Sequence, residues 1–482
     1  MNRRIYRKVV SVLAVVTVTA MVTHAGTATE QNALRSTEKD QTDVALTAYN
    51  NGVALVRDMR TVNLPKGSLA LNVMDVAAKI IPETVHVEQR SSGRPFEIEE
   101  QNYEYDLISP DTLLRKFVGK QVILRETSSE TLQVADRKAT LLSVEGGRVY
   151  QSGDKILLNP QGTVIVPEVP GNLVSRPTLS WLVNCPRHSD YQFETSYLTE
   201  GVSWKADYVA VLNEDDTMMD LSAWVTLDNR SGVGYKNAQL KLVAGDVRRV
   251  QPPSPRRAFG GERAIAYAAK AAPAFREESL FEYHLYDLQR RTNIKNNQTK
   301  QIALLDVSQV PLTKKYLVKS TSSMFSSRPP TQDKPKVRTI LEFDNKGVPG
   351  LGVPLPAGTV RTYKRDSKGA LQFTGEDNIK HTPRDETVKL TVGSAFDIVA
   401  ERKQTDYKKI APREFETEIK VDLRNRKDAP VTVTVEEFIP GDWAIIEKNH
   451  PYMKKDAHTV EFEVNIDARS ATTFTYRARI SQ

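Results

Sequence analysis

Apolar and polar residues alternate with a period of two near the C-terminal end of the chain. The segments 415–423, 460–467 and 473–480 each place mainly apolar residues at every second position, with charged residues, Thr or Asn between them. Such alternation predicts antiparallel strands with one face buried against a second sheet and the other in water. We therefore expect an immunoglobulin-like β-sandwich over residues 411–482.

Strand-like patterns also dominate the rest of the chain, and long helical periodicity is nearly absent. They predict an N-terminal β domain over 43–109, a β-sandwich over 171–250 and a β-rich domain over 279–410. Residues 110–170 carry five short strands broken by Gly-containing turns, which predicts a small SH3-like or OB-like barrel inserted into the chain. The predicted fold class is all-β and multidomain, with antiparallel β-sandwiches and a small inserted β-barrel.

Three polar or low-complexity segments separate these units. Residues 29–42 are polar and without pattern, which predicts a disordered leader. Residues 251–278 are rich in Pro, Ala, Gly and Arg and predict a flexible linker or loop, and residues 320–336 predict a mobile loop. The two later loops are long enough to carry a binding surface.

The first 28 residues have the pattern of a secretory signal peptide. Basic residues precede the apolar run 9–22, and small residues follow it at Ala25, Gly26 and Ala28. A retained membrane helix is the alternative, but the run is short for a span of about 20 residues. RRIYRK also loosely resembles a twin-arginine export signal. We expect removal of residues 1–28, no membrane span in the mature chain, and a periplasmic or secreted protein.

Charge and cysteine content exclude two classes of protein. The formal net charge is +7, and residues 1–28 carry four basic side chains and no acidic one, so the mature chain has a net charge of +3. Without a clustered basic patch, this charge argues against a nucleic-acid partner. Cys185 is the only cysteine, which excludes a disulfide within the chain. It is either a reactive thiol near His188 or a small buried hydrophobe, and the apolar segment SWLVNC favours the latter.

The tryptophans of the middle of the chain have two interpretations. Trp181, Trp204 and Trp224 all lie in strand-like segments, which predicts aromatic residues of a core. The alternative is that one of them stacks on a carbohydrate, since the ring combines a flat apolar face with a polar edge.

Strong enzyme motifs are missing from the sequence. G-x-S-x-G, H-E-x-x-H, a phosphate-binding glycine loop and C-x-x-C do not occur, so we assign no catalytic, cofactor-binding or metal-binding residue. One constellation in the region 366–386 offers candidates for a metal or acid/base site: Asp366, Glu376, Asp377, His381 and Glu386. The alternative, which we prefer, is turn and seam chemistry: a hairpin edge whose polar groups tie the loop to the sheet at a domain seam, because acids and Asn beside Gly satisfy local backbone donors.

A series of longer phrases resembles a known family. In chain order they are SYLTEGVSWKADYVAVL, LDNRSGVGYKNAQLKLVAGDV, FEYHLYDLQRRTNIKNNQTKQIALL, LPAGTVRTYKRDSKGALQFTGEDNIKHTPRDETVKLTVGSAFDIVAERKQTDYK and VEEFIPGDW. Together they resemble a bacterial family of unknown function that shares its domain with the mucoidy-inhibitor-A-like proteins. The likeness covers roughly 190–482, and NNGVALVRDMRTVNLPKG also fits relatives. It implies an exported all-β protein and brings no established activity or catalytic residues. The mucoidy-inhibitor type often carries a helical coiled coil where residues 110–170 predict strands.

Two hypotheses for function follow. The first is a non-enzymatic cell-envelope scaffold or binding protein for protein or glycan, without a cofactor, whose many sheet edges are open to partners. The second is a metal-dependent or hydrolase-like envelope enzyme that uses the acids and His381 of residues 366–386. The enzyme hypothesis requires that these side chains meet in one concave site.

Overall fold

A computed structural model gives the fold of the chain for residues 33–91, 93–104, 108–127, 134–168, 176–245, 247–248, 275–320, 325 and 333–481. The predicted signal peptide lies outside these residues. The described structure is almost entirely β, as predicted. Its helical parts are α1 (Pro110–Lys116) and two 3₁₀ turns, Glu38–Asp40 and Pro82–Thr84. Among the described helices, none has the length and apolar character to cross a membrane.

The strands of the first half of the chain are β1 (Leu34–Ser36), β2 (Gln41–Tyr49), β3 (Val53–Leu64), β4 (Gly67–Met74), β5 (His86–Gln89), β6 (Glu97–Glu104), β7 (Gln121–Thr127), β8 (Val134–Ser143), β9 (Val149–Ser152), β10 (Lys155–Leu158), β11 (Thr163–Ile165), β12 (Thr178–Cys185), β13 (Ser189–Glu200), β14 (Val202–Leu212), β15 (Met218–Asn229) and β16 (Tyr235–Ala244).

The strands of the second half are β17 (Phe275–Leu280), β18 (Tyr283–Leu288), β19 (Thr292–Ile294), β20 (Gln298–Pro311), β21 (Thr313–Lys319), β22 (Arg338–Asp344), β23 (Gly358–Arg365), β24 (Leu371–Ile379), β25 (Thr387–Ser394), β26 (Ile398–Ala411), β27 (Glu414–Asn425), β28 (Val431–Phe438), β29 (Asp442–Lys448), β30 (Met453–Lys454), β31 (Thr459–Ile466) and β32 (Ala471–Ser481).

Three sheets share one large hydrophobic core in the first part of the molecule, and β22 and β25 of a fourth sheet also pack into it. The eight-stranded sheet has the order β17-β18-β16-β2-β3-β13-β5, with β19 beside β16. The central sheet has the order β20-β15-β14-β23-β24, and a smaller sheet has the order β1-β4-β12-β6. Strands of the predicted segments 43–109 and 171–250 are interleaved in two of these sheets. Within the described residues, the segments 43–109 and 171–250 therefore do not form separate sheets.

The central sheet has one face in this core and one face toward solvent. Along β14, buried side chains alternate strictly with more exposed ones from Val202 to Leu212. Trp204 and Tyr208 are among the buried members and pack in the shared core. Because successive side chains of a strand point to opposite faces, the intervening residues form an outer face.

The insert forms a separate unit with its own small core. α1 packs with an open sheet of order β10-β9-β8-β7-β11, and Leu114, Phe117 and Tyr150 are buried between them. The five predicted strands are present, but the predicted closed barrel is wrong, because the edge strands β10 and β11 do not pair in the described structure. These edge strands are four and three residues long, too short to bend round and meet.

The C-terminal sandwich consists of two further sheets. Their orders are β25-β22-β21-β28-β31-β30 and β26-β27-β32-β29, and a second large core lies between them. The alternation read from the sequence is confirmed: it falls on β27, β31 and β32, which bury every second side chain over most of their length. β21 pairs in parallel with β28, so strands on both sides of the predicted 410/411 boundary share a sheet. That this sandwich is specifically immunoglobulin-like stays a prediction.

Parts of the predicted leader and loops are ordered. Residues 34–42 form β1, a 3₁₀ turn and the start of β2 rather than a disordered leader. The reason is tertiary, since Arg60 donates to Ser36 and β1 pairs with β4. The predicted linker lies outside the described residues up to 274, and from 275 its residues belong to β17. The predicted loop 320–336 is described only in part, and there Phe325 is buried in the second core.

A buried ion pair joins the two sheets of the C-terminal sandwich. Arg402 on β26 donates from Nε and Nη2 to the two carboxylate oxygens of Glu437 on β28, at 2.9 and 2.6 Å. Both side chains are fully buried, and Arg402 also pairs through its main chain with Asp333. Two parallel charge-assisted hydrogen bonds are the strong form of this contact.

Three buried asparagines make similar contacts at the ends of strands. Asn229, Asn345 and Asn425 are each fully buried. In each case the side-chain amide donates to two or more main-chain carbonyls, and its oxygen accepts one main-chain N–H. Each follows an apolar residue by two positions and precedes Arg or Lys, in LDNR, FDNK and LRNR. The chain thus uses one residue pattern three times to close the loop after a strand.

We expect Arg402→Met to lower the local unfolding free energy of the C-terminal sandwich by about 3–5 kcal/mol, because it leaves the Glu437 carboxylate buried without its partner. Hydrogen exchange of the β26 and β28 amides measures this quantity. The control is Arg424→Met, which removes a half-exposed pair with Glu401 and should cost less than about 1 kcal/mol. Equal effects of the two changes would contradict the assigned role.

We expect Asn425→Ala to destabilise the same sandwich by about 2–3 kcal/mol, because it leaves main-chain groups of Ala429, Asp467 and Lys427 without partners. Urea unfolding gives the difference. Asn465→Ala removes an exposed amide that bonds only the Thr432 hydroxyl among the described contacts, and serves as the control. The interpretation fails if both variants unfold at the same urea concentration.

Candidate functional site

The five residues singled out from the sequence lie in different local settings. Asp366 closes a turn by accepting the N–H groups of Lys368 and Ala370, both at 2.9 Å. The hydrogen bond from Gln372, followed by those from the turn, lowers the pKa of its carboxyl. Turn chemistry therefore describes this residue. Glu386 is exposed, and its main-chain carbonyl accepts from Asn345.

Glu376 and Asp377 lie within a strand, because β24 continues to Ile379. The expectation that they belong to a turn is wrong. Glu376 pairs with Arg361 on the neighbouring strand at 3.2 Å. Asp377 accepts the main-chain N–H of Thr391 at 2.7 Å, which ties the edge of the central sheet to β25 of the next sheet. A cross-strand ion pair within the central sheet accounts for Glu376, and a contact between two sheets accounts for Asp377.

His381 lies where three segments meet. Its Nδ1 accepts the main-chain N–H of Ala357 at 3.1 Å, and its Nε2 is 3.2 Å from the side-chain amide of Asn50 in the β2–β3 turn. The ring thus links the eight-stranded sheet to the start of β23. Among the described residues, no three His, Cys, Asp or Glu side chains group closely enough to hold a metal ion.

The edge of the central sheet approaches β25 very closely at Gly375. A Cβ at this position would lie 1.9 Å from the carbonyl oxygen of Val392, and the glycine has φ +156°. Only glycine fits here without displacing the main chain. Gly375 therefore lets the central sheet and the C-terminal sandwich touch where Asp377 joins them.

The outer face of the central sheet carries an organised set of polar and aromatic side chains. Register places Trp224 beside Asp207 and Asp207 beside Thr359, while Arg361 lies beside Glu376. We define the outer face by these side chains: Asp207, Val209 and Val211 on β14; Ser222, Trp224 and Thr226 on β15; Gln301 on β20; Thr359, Arg361 and Tyr363 on β23; and Phe373 and Glu376 on β24.

A continuous polar band crosses the outer face from one sheet edge to the other. Gln301 donates to Thr226, and Thr226 donates to Asp207 at 2.8 Å. Arg361 lies between two carboxylates, 3.1 Å from Asp207 and 3.2 Å from Glu376. With strands about 4.8 Å apart, the band extends about 19 Å. The mutual contacts hold its charged groups in place, so the band is preorganised.

Aromatic side chains lie along one side of the polar band. Trp224 is half-buried on the outer face, so its interpretation as a core residue is wrong. Trp181 and Trp204, 1% and 4% exposed, are core residues as expected. Farther along the same side, Tyr363 and Phe373 contact edge to face at 5.6 Å, and Phe373 is 56% exposed. The sequence did contain a signal for the outer-face residues of β14, β15 and β23: they occupy the alternate, less buried positions of these strands.

A cavity of about 480 Å³ lies at the junction of the eight-stranded sheet and β1. Its lining includes the buried pair Asp58–Arg60, together with Tyr197 and Tyr235. The guanidinium of Arg60 donates to Asp58, to Ser36 and to the main chain of Met74. These hydrogen bonds use the full donor capacity of Arg60, so the pair stabilises the wall of the cavity rather than offering free donors.

Cys185 is buried, which confirms its interpretation as a small hydrophobe. Burial raises the pKa of its thiol and disfavours the reactive thiolate. His188 instead lies at the surface, 2.7 Å from the side-chain oxygen of Asn63.

A known family matches the second part of the chain. The family described as "Domain of unknown function (DUF4139)" matches residues 193–482, and the chain belongs to this family. The matched part contains the central sheet and the C-terminal sandwich, whereas the insert lies before it. The comparison with curated proteins finds no match.

We expect Gly375→Ala to destabilise the junction between β24 and β25 by about 2–3 kcal/mol, because the new methyl group overlaps the Val392 carbonyl. Gly393→Ala on β25 is the matched control, since its Cβ would meet nothing within 4 Å. Hydrogen exchange at Thr391 reports the loss of the contact with Asp377. If the Thr391 amide exchanges equally slowly in both variants, the close approach at Gly375 has no energetic role.

Proposed function

We propose that this member of the DUF4139 family is an exported, non-enzymatic binding protein of the cell envelope, and that it holds a glycan on the outer face of the central sheet. The observation that carries the proposal is the preorganised polar band with aromatic side chains along one side of it. Such a face is flat and rigid, and it differs from the concave pocket that most enzymes use for small substrates.

The aromatic side chains provide the apolar part of glycan recognition. A sugar ring has a face of C–H groups and an edge of hydroxyl groups, so it packs well against a flat aromatic ring. Trp224 and the Tyr363–Phe373 pair lie on the same side of the polar band, on β15 and on β23 and β24. An elongated ligand of linked rings that lies along this side would contact both aromatic groups at once, and the large rigid side chains would lose little entropy on binding.

The polar band provides the hydrogen-bonding part. Asp207 and Glu376 accept, whereas Arg361, which is 34% exposed in its side chain, donates from a planar group. Vicinal hydroxyls both donate and accept, so a band with both kinds of group in fixed positions matches them. Charge-assisted hydrogen bonds are about twice as strong as neutral ones.

The proposed location rests on the sequence of residues 1–28. A basic start, an apolar run and small residues support export and removal of this segment. We place the mature protein in the periplasm or outside the cell, where envelope glycans are available.

We expect the mature protein to bind a soluble oligosaccharide, either chitohexaose or cellohexaose, and Trp224→Ala and Arg361→Gln each to weaken binding at least tenfold. Isothermal titration calorimetry measures the affinities. Phe396→Ala removes a fully exposed aromatic side chain, 94% exposed and outside this face, and should leave the affinity unchanged.

Circular dichroism must show that the variants are folded. Equal affinities for wild type and both outer-face variants would contradict the proposal. A second result would also contradict it: the protein binds neither sugar but crosslinks to an envelope protein, and Trp224→Ala abolishes the crosslink. The face would then be a protein interface.

A further inference from the structure

The insert contains a cavity of about 420 Å³ that is separate from the outer face of the central sheet. It lies between α1, the turn from β8 to β9 and the residues that follow β10. Two arginines, Arg115 and Arg148, belong to its lining, and both are exposed. The volume is in the range of sites for small ligands.

The two arginines differ from the other arginines of the insert sheet. Arg125 pairs with Asp136 at 2.8 Å, and Arg137 pairs with Glu126 at 3.5 Å. In the part of the chain that the structure describes, neither lining arginine has a carboxylate within ion-pair distance, although Asp111 also lines the cavity. The cavity therefore has positive groups whose charge is not neutralised by a direct partner.

A third donor is fixed in the cavity wall. Asn159 uses its side-chain oxygen to accept the main-chain N–H of Arg148 at 2.6 Å, while its own N–H donates to the Arg148 carbonyl at 2.8 Å. A Cβ on Gly147 would lie 2.9 Å from the Asn159 amide nitrogen. The described structure gives that nitrogen no hydrogen-bond acceptor, so it remains able to donate.

The wall also holds an unfavourable backbone conformation. Asn159 has φ +46°, in the left-handed region, although Pro160 follows it. The reciprocal hydrogen bonds with Arg148 compensate for this and orient the amide. Three residues with hydrogen-bond donors thus line the cavity, one from α1, one from the β8–β9 turn and one from the residues after β10.

We propose that this cavity binds a small oxyanion, a carboxylate or a phosphate, between Arg115, Arg148 and the amide of Asn159. Planar guanidinium groups match the paired oxygens of such anions. Asp111 is the one acid of the lining and orients the anion toward the arginines by repulsion. This site lies outside the family match and is independent of the proposed glycan face.

The test is calorimetric titration of the full mature chain with inorganic phosphate and, separately, with succinate, at constant ionic strength. We expect at least one of these anions to bind, and comparison of the two titrations shows which oxyanion the cavity prefers. Arg115→Gln and Arg148→Gln should each weaken binding about tenfold, since each removes charge-assisted hydrogen bonds. Lys155→Gln, on β10 of the same sheet, removes one exposed positive charge away from the lining and should have no effect.

Far-ultraviolet circular dichroism and melting temperatures of the three variants must match the wild type. The proposal is overturned if neither anion binds to the folded wild type. It is equally overturned if Lys155→Gln weakens binding as much as the arginine variants do, because the effect would then be general charge attraction.

Discussion

Buried side-chain hydrogen bonds to main-chain groups determine how the sheets of this protein meet. A strand that leaves a sheet exposes carbonyl and N–H groups, and burying them without partners costs free energy. Asn229, Asn345 and Asn425 meet these groups at three strand ends. Because the chain has a single cysteine, no internal disulfide can fix the loops that follow these strands. Packing and the asparagine contacts hold the loops instead.

The proposed binding face depends on the same arrangement. Because the inner side of the central sheet is packed in a continuous core, the strands cannot shift relative to one another without opening that core. The spacing between Trp224, Arg361 and Phe373 on the other side is therefore fixed by register rather than by loops. A ligand that fits this spacing would meet a surface that needs little reorganisation.

Strand patterns could be predicted from the sequence wherever one face of a strand is buried, as in β27, β31 and β32. The order of strands could not, because parallel pairs such as β21–β28 join segments far apart in the chain and leave no local signal. The strand and turn at residues 34–42 could not be predicted for a similar reason. They depend on a contact with Arg60, and composition alone does not reveal that this charged residue is buried. Of the candidate site, Asp366 was understood from its turn, whereas Glu376 and Asp377 depend on neighbouring strands. The repeated pattern LDNR, FDNK and LRNR was visible in the sequence and marks loops that only the structure explains.

The position of β2 has a consequence for the time course of folding. In the eight-stranded sheet the β2–β3 hairpin lies between β13 and β16, and β2 pairs in parallel with β16. The first strands of the chain therefore cannot complete their pairing until residue 244 is available, and β13 and β16 each lack one neighbouring strand until the hairpin docks. Such pairing between distant segments makes folding slow. The matched region 193–482 excludes this hairpin, so it is a unit of sequence relatedness but not by itself a unit of folding.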